Sequence, residues 1–194
     1  MSLKIFKDLI KLTAHIKNKK LRAQVVNILK NPQNNNYPNE PVSLEDCPGG
    51  PWHHTYRGGL VDHLFTVTTL SLEIAITLKE IYNEDINIDY LVASCLLHDI
   101  MKIYDYAYIK GKNKVIVIDN TIRHAEFGEQ FLLQKKIPLL ICKIVGQHIP
   151  WRGEDVIDMT FELRILLASD KIDSNALFRN TLLFDNYIIS SIDF

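Results

Sequence analysis

The chain has little net charge, few cysteines and no long unbroken apolar run. Its formal net charge of -1 gives no global basic field to hold phosphates, which argues against a dedicated DNA or RNA binder, though not against a local basic rim. The three cysteines are widely spaced and match neither a disulfide framework nor a zinc knuckle. Lysines interrupt the N-terminal sequence, which therefore lacks the unbroken apolar stretch of a signal peptide. No apolar run in the chain reaches the roughly 18 residues of a membrane span. These absences predict a soluble protein of the reducing cytoplasm, with neither signal peptide nor membrane segment.

The length of 194 residues fits one domain with a sizeable core. Residues 31–51 are rich in Asn, Pro and Gly and read as an extended connector. The roughly thirty residues before it are too few for an independent domain. We therefore expect a helical lead-in and connector, residues 1–50, packed on a single structural unit of residues 51–194.

Hydrophobic periodicity predicts an all-α bundle interrupted by one β-hairpin. The expected helices run from Leu3 to about Ile16, Lys20–Lys30, Leu60–Tyr82, about Asp89 to His98, Thr121–Gln134, Pro138–His148 and Thr160 to about Ala176. Aromatic and β-branched residues flank KGKN within residues 104–119, which predicts the hairpin after the fourth helix. The predicted N-caps are Asp89 for that helix and Thr121 or Asn120 for the next. For the first two helices, a basic membrane-surface role is the minor alternative to core packing.

The stretch LVASCLLHDIMK, residues 91–102, delivers His98 and Asp99 side by side at the end of an apolar run. Adjacent side chains in mid-helix point about 100° apart, but at the end of a buried helix both can lean into one site. An imidazole nitrogen beside a carboxylate oxygen suits a divalent transition metal. Alone, the dipeptide is weak evidence, because chance supplies many.

Other histidines and acids could complete a coordination shell, and each has an ordinary alternative. A lone histidine beside an apolar stripe, as His63 is, usually serves the core; His124 and His148 could cap helices or lie at the surface. Asp170 could pair with a base in the core, and Asp173 could be solvated. Six of the seven histidines nevertheless fall between residues 53 and 148, near the ends or inner faces of separate helices. An unpaired carboxylate in the apolar helix of Asp170 would cost several kcal/mol, which a cation would offset.

The chain contains His63, then His98-Asp99, then Asp170 within ASDKID. With these residues in this order, it resembles the HD-domain metal-dependent phosphohydrolases. The resemblance runs from about Trp52 to Asp173, and it implies an all-α HD-domain helical bundle. HHTYRGGLVDH, LLHDIMK, RHAEFGE and GQH look most like the branch containing 3′-to-5′ exoribonucleases. Two departures stand out: Met101 replaces a common glycine, and the lead-in is too short for the branch's oligonucleotide-binding barrel.

The resemblance implies one or two divalent metal ions. His63, His98, Asp99 and Asp170 would bind the first; Asp99 would bridge to a second, completed by His124 and His148. Mixed nitrogen and oxygen ligands favour Mn, Fe, Co, Ni or Zn, with Mg less usual. Such ions would hydrolyse a phosphomonoester or phosphodiester of a nucleotide or short oligonucleotide. Asp99 thereby becomes a catalytic residue as well as a ligand.

Further roles are predicted around this centre, each beside a plainer one. Lys102 would neutralise phosphate during catalysis or be a surface lysine, and His54 would transfer a proton to the leaving group or be a solvated loop residue. Arg57 would bind phosphate or pair with an acid, and Arg152 is a weaker phosphate-binding candidate at the rim. Trp151 and Tyr56 could stack a base or simply pack.

Two other function classes compete with the enzyme. One is a non-catalytic regulatory HD domain that binds a nucleotide or a partner; the other is a structural metal site. The expected partner is a small phosphorylated substrate, without stable duplex nucleic acid or membrane. The sequence leaves a homo-oligomer open.

Overall fold

The computed structural model describes residues 3–34, 40–109, 112, 115–118, 123–149 and 159–176. These residues form seven α-helices and one two-stranded antiparallel sheet, which confirms the all-α bundle with a hairpin insertion. The helices are α1 Leu3–Leu12, α2 Lys19–Lys30, α3 Gly59–Tyr82, α4 Ile88–Leu97, α5 His124–Gln134, α6 Leu139–Gln147 and α7 Phe161–Ala176. The expected Thr121 or Asn120 cap lies outside the described residues.

Helix α4 is the centre of the bundle. It is apolar on every side, as expected of a fully buried helix, and residues 91–100 are all buried. Helices α2, α3, α6 and α7 pack around it. The helix ends at Leu97, and the chain continues as a 3₁₀ turn over Ile100–Tyr104. His98 and Asp99 therefore lie where the backbone changes its winding, in the middle of the core.

The lead-in packs on this core through Leu9, Ile16 and Val25, each fully buried. The first helix ends earlier than predicted, at Leu12, and a 3₁₀ turn covers Thr13–His15. Helix α1 lies against α3, and α2 lies against α4. The division at residue 50 stays a prediction.

The predicted Asp89 cap is wrong. Asn87 is the N-cap of α4, and its side chain accepts a hydrogen bond from the Tyr90 amide at 3.1 Å. Asp89 instead accepts from the amides of Lys17 and Asn18, at 2.6 and 2.8 Å. Its carboxylate thus ties the junction of α1 and α2 to the start of α4, a tertiary contact that periodicity does not reveal.

The hairpin pairs β1 Tyr106–Tyr108 with β2 Val115–Val117. The segment just before it is held by the connector, because the Val42 amide donates to the Ile103 carbonyl at 3.0 Å. The Tyr108 hydroxyl donates to Asp46 at 2.8 Å. The connector therefore braces the segment that follows His98 and Asp99.

Helix α3 is long and apolar enough to cross a membrane by length and composition, although polar residues such as Asp62 and Glu73 interrupt its apolar sequence. Such evidence is weak for a single helix. More than half of the most apolar stretch of α3 is buried inside the protein, and α3 packs on both α4 and α7. The helix has the surroundings of a core helix, and its first turns carry His63 into the centre of the bundle.

Candidate metal centre

Six side chains from five segments converge in one buried cluster. His63 lies in the second turn of α3, His98 and Asp99 follow α4, His124 begins α5, His148 follows α6, and Asp170 lies on α7. All are buried except Asp170, whose side chain is 24% exposed. The structure thus brings together all six residues predicted as metal ligands, although the ligand roles themselves stay a prediction.

Asp99 lies between two groups of imidazoles. Its Oδ1 is 3.1 Å from His124 Nε2 and 3.2 Å from His148 Nε2. Its Oδ2 is 3.2 Å from His63 Nε2 and 3.4 Å from His98 Nε2. Each oxygen of one carboxylate therefore serves a different pair of histidines.

His98 and His148 are oriented by the same local device. Each follows the last residue of a helix and donates Nδ1–H to the carbonyl three residues back. His98 bonds to Cys95 at 2.8 Å, and His148 bonds to Val145 at 2.6 Å. The last carbonyls of a helix lack intrahelical partners, so the histidines satisfy groups that need a donor. The tautomer this assigns leaves each Nε2 as a lone pair facing the cluster.

His63 is oriented by a carboxylate instead. Its Nδ1 is 2.6 Å from Asp173 Oδ2, and both side chains are buried. Its Nε2 is 3.4 Å from Asp170 Oδ1. Asp170 and Asp173 share a face of α7 because they are three residues apart. The helix therefore contacts both ring nitrogens of His63, with Asp173 at Nδ1 and Asp170 at Nε2. Solvation of Asp173, one of the alternatives from sequence, does not occur.

His124 is held more loosely. Its Nδ1 lies 3.5 Å from Asp105 Oδ2 and has no hydrogen-bond partner among the described residues. Glycines bring its helix close to α6: a Cβ on Gly128 would lie 2.9 Å from Val145 Cγ1. This close approach sets His124 and His148 side by side, with ring centroids 5.5 Å apart.

Lys102 lies against Asp99 and is not a surface lysine. Its Nζ is 2.5 Å from Asp99 Oδ2 and donates to the Gly49 carbonyl at 2.8 Å, with the side chain 12% exposed. Met101, in the position of the family's glycine, is fully buried in the apolar core. The substitution therefore fills the core and leaves Lys102 facing the cluster.

The charges of the cluster are strongly coupled. Burial opposes ionisation of Asp99, but Lys102 and His98 hold the pKa of its carboxyl well below the usual value. Burial also opposes a charge on His63, yet Asp173 and Asp99 raise its pKa to about 9. At His148 burial prevails over Asp99 and lowers the pKa. The Asp99 carboxylate thus stays ionised and needs positive charge around it.

The donor set fits a metal ion. His63 Nε2 and His98 Nε2 lie 3.2 Å apart, and both face Asp99. Because Nδ1 of each ring donates its hydrogen elsewhere, both Nε2 atoms carry lone pairs that face each other and the Asp99 carboxylate. Only protons or a cation can stabilise such an arrangement. Buried imidazole nitrogens mixed with carboxylate oxygens are the ligands that divalent transition metals prefer.

The segment before α3 brings His53 and His54 to the same region. His54 is buried in a left-handed conformation, with φ 49°, and its Nε2 is 3.6 Å from Asp173 Oδ2. The His53 and His63 ring centroids are 4.9 Å apart. Gly59 is required here, since a Cβ on it would lie 2.0 Å from the His54 carbonyl oxygen. His54 is therefore near the cluster and is not a solvated loop residue.

Of the two arginines predicted to bind phosphate, the structure describes only Arg57. Arg57 pairs with Asp46 through its Nε and is about half exposed, which is the alternative considered from sequence. Tyr56 donates to Asp62 at 2.7 Å and is 47% exposed. Arg152 and Trp151 lie outside the described residues.

Sequence reasoning gave no role to Asp105 and left Asp173 undecided. The three-residue spacing in ASDKID could have shown that Asp173 shares a face with Asp170. Asp105 had no such signal, because its approach to His124 depends on how the 3₁₀ turn leads into the hairpin.

Comparisons with known proteins give a family and a relative for this chain. The HD domain family model matches residues 60–175. A relative from Methanocaldococcus jannaschii, named dihydroneopterin 2′,3′-cyclic phosphate phosphodiesterase, is 34% identical over 173 residues, which cover 86% of this chain and 68% of the relative. No solved structure matches the chain significantly.

Proposed function

The chain belongs to the HD-domain family and is a metal-dependent phosphohydrolase, and we propose that it opens a cyclic phosphodiester at a dinuclear centre. One observation carries the dinuclear part: each oxygen of Asp99 faces a separate pair of imidazoles. The first half of the centre comprises His63, His98, Asp99 Oδ2 and Asp170. The second half comprises Asp99 Oδ1, His124 and His148.

The proposed substrate is a small heterocycle whose sugar or polyol chain carries a five-membered cyclic phosphate. The similarity to the M. jannaschii phosphodiesterase, which extends over most of the chain, supports this class. Hydrolysis adds water across one P–O bond: the hydroxyl joins phosphorus, and the released ester oxygen takes a proton. The product is a phosphomonoester with a free neighbouring hydroxyl.

Divalent ions at such a centre lower the pKa of water and neutralise phosphate charge. In this proposal Asp99 is both the bridging ligand and a catalytic residue. Lys102, beside it, adds a positive charge for the phosphate. Mn, Fe, Co, Ni or Zn suits the imidazole-rich ligand set better than Mg.

Other proposed roles have weaker support. His54 would protonate the leaving oxygen, but burial lowers its pKa and favours the neutral ring, which is a poor acid. The variant His54→Gln decides this role. Arg57 and Arg152 would bind phosphate at the rim, and Arg57 would first have to leave Asp46.

The test is a panel of phosphate esters on metal-free protein resupplied with Mn, Fe, Co, Ni, Zn or Mg. The panel contains pterin and nucleoside 2′,3′-cyclic phosphates, 3′,5′-cyclic nucleotides, monophosphates and an RNA with a 2′,3′-cyclic end. We expect turnover of the 2′,3′-cyclic compounds with a transition metal. Turnover of the monophosphates alone would contradict the substrate proposal.

Variants connect the activity to the cluster. Asp99→Asn should lower turnover by at least about 100-fold, because even changing an outer partner of a metal ligand costs about 10–100-fold. His15→Gln is the matched control, since His15 is exposed and far from the cluster in sequence. Unchanged turnover in Asp99→Asn, or purified protein that binds no transition metal, would refute the proposed function.

A further inference from the structure

Asp173 is buried in the protein and is not one of the six converging side chains. Its side chain is 5% exposed, and its Oδ2 lies 2.6 Å from His63 Nδ1. At that distance the imidazole donates Nδ1–H to the carboxylate. The bond fixes the rotation of the His63 ring and directs Nε2 towards His98 and Asp170.

In the second half of the centre, His148 is held as closely, by the Val145 carbonyl at 2.6 Å, but His124 has no equally close support among the described residues. His124 Nδ1 is 3.5 Å from Asp105 Oδ2, too long for a good hydrogen bond. The Asp105 side chain is also more exposed, at 19%. His124 is consequently less constrained than His63, although both rings lie against Asp99.

The two halves also differ in the number of carboxylates. Asp170 adds a carboxylate to the half that contains His63, with Oδ1 at 3.4 Å from His63 Nε2. Ser174 Oγ in turn donates to that oxygen at 3.1 Å, which holds Asp170 in place. Among the residues that the structure describes, the half that contains His124 has only its share of the Asp99 carboxylate. More ligands and better-oriented ligands both raise metal affinity.

We propose that Asp173 is a positioning residue which holds the His63 ring and thereby makes the His63 half the tighter of two metal sites. Helix α7 then supplies this half with a ligand, Asp170, and with the residue that orients another ligand. The proposal rests on the dinuclear centre proposed above and adds the order in which its halves fill.

A third metal is the competing explanation for Asp173. Ligand atoms of His53, His54, His63 and Asp173 all lie within 4.8 Å of one another. Against this role, the close contact to Asp173 occupies His63 Nδ1, and His53 Nδ1 faces His54 Nδ1 at 3.1 Å. Metal counting separates the two explanations.

The experiment titrates metal-free protein with Co²⁺, followed by calorimetry and by the visible absorption of the bound ion. Wild type should bind two ions with unequal affinity. In a His148→Gln background, which retains the His63 half, Asp173→Asn should weaken the remaining ion about 10-fold and Asp173→Ala about 100-fold. The order is expected because the Asn carbonyl can still accept from Nδ1–H.

In a His98→Gln background, which impairs the His63 half, the same Asp173 changes should alter the remaining affinity by less than about threefold, within the variation expected of uncoupled sites. Asp85→Asn, an exposed acid, controls for the loss of a negative charge. Melting of each metal-free variant reports any general loss of packing.

Three results would overturn the proposal. These are wild-type affinities in Asp173→Ala, equal weakening in both backgrounds, or a stoichiometry that falls from three ions to two. A wild-type protein that binds no ion refutes the proposed function itself. Two ions bound by the wild type with unchanged affinities in the Asp173 variants refutes only the positioning role.

Discussion

Replacing Lys102 with methionine should lower the folding stability of the metal-free protein and raise its affinity for metal ions. Lys102 Nζ lies 2.5 Å from Asp99 Oδ2 and 2.8 Å from the Gly49 carbonyl oxygen, with little exposure to solvent. Methionine keeps most of the side-chain volume but removes the charge. Breaking a buried pair costs about 3–5 kcal/mol, because the remaining charge is left uncompensated.

The lower end, about 3 kcal/mol, is expected here. The imidazole of His63, whose pKa is raised to about 9 by Asp173 and Asp99 against the effect of burial, stays 3.2 Å from the same Asp99 oxygen and supplies part of the lost charge. For a chain of this length, a loss of 3 kcal/mol corresponds to a melting temperature lower by about 6–12 °C.

Metal ions would compensate Asp99 in place of the lysine, so the loaded variant should lose less stability than the metal-free one. The thermodynamic cycle then requires tighter binding of metal. If about half of the 3 kcal/mol is recovered, the affinity rises roughly tenfold. Turnover should fall nevertheless, because the substrate phosphate loses a positive charge.

The assay is thermal melting of wild type and Lys102→Met, with and without Mn²⁺ or Co²⁺, together with calorimetric titration. Lys143→Met, an exposed lysine on α6, is the matched control and should melt with the wild type. A metal-free Lys102→Met as stable as wild type, or one that binds metal more weakly, would refute this reasoning.

Three further outcomes are expected. Exhaustive chelation should abolish turnover but leave the helical circular dichroism signal intact. Metal added back at 100 times its Kd should raise the melting temperature by about 5–11 °C. An unfolded metal-free protein would instead indicate a structural metal. Gly128→Ala should lower stability by about 1–3 kcal/mol in urea unfolding, since its Cβ would lie 2.9 Å from Val145 Cγ1; a stabilised variant would show that helix propensity prevails. All three cysteines are fully buried, and burial raises the pKa of Cys95 to about 12 and that of Cys142 to about 11. Ellman's reagent at pH 8 should therefore react with none in the native protein and with all three after denaturation, and one fast native thiol would contradict this.

Much of the fold could be predicted from sequence because its helices are long and strongly periodic. The boundaries of α2, α3, α6 and α7 fall within about two residues of those expected, the usual uncertainty of helix ends. The exceptions have tertiary causes. Asp89 does not cap α4, because its carboxylate is bonded to the amides of Lys17 and Asn18. Helix α3 has the length and composition of a membrane span, and more than half of its most apolar stretch is buried inside the protein.

The candidate ligands and their order along the chain could be read from the sequence, since histidine and aspartate at predicted helix ends are recognisable there. Tertiary structure decided which atom of each faces which neighbour. Only the folded chain puts the two oxygens of Asp99 against different imidazole pairs, places Lys102 on one of them, and directs Asp173 at His63. The reason is physical: a ring nitrogen becomes a ligand or a donor according to the partner of the other nitrogen, and here those partners come from helix ends and from distant segments.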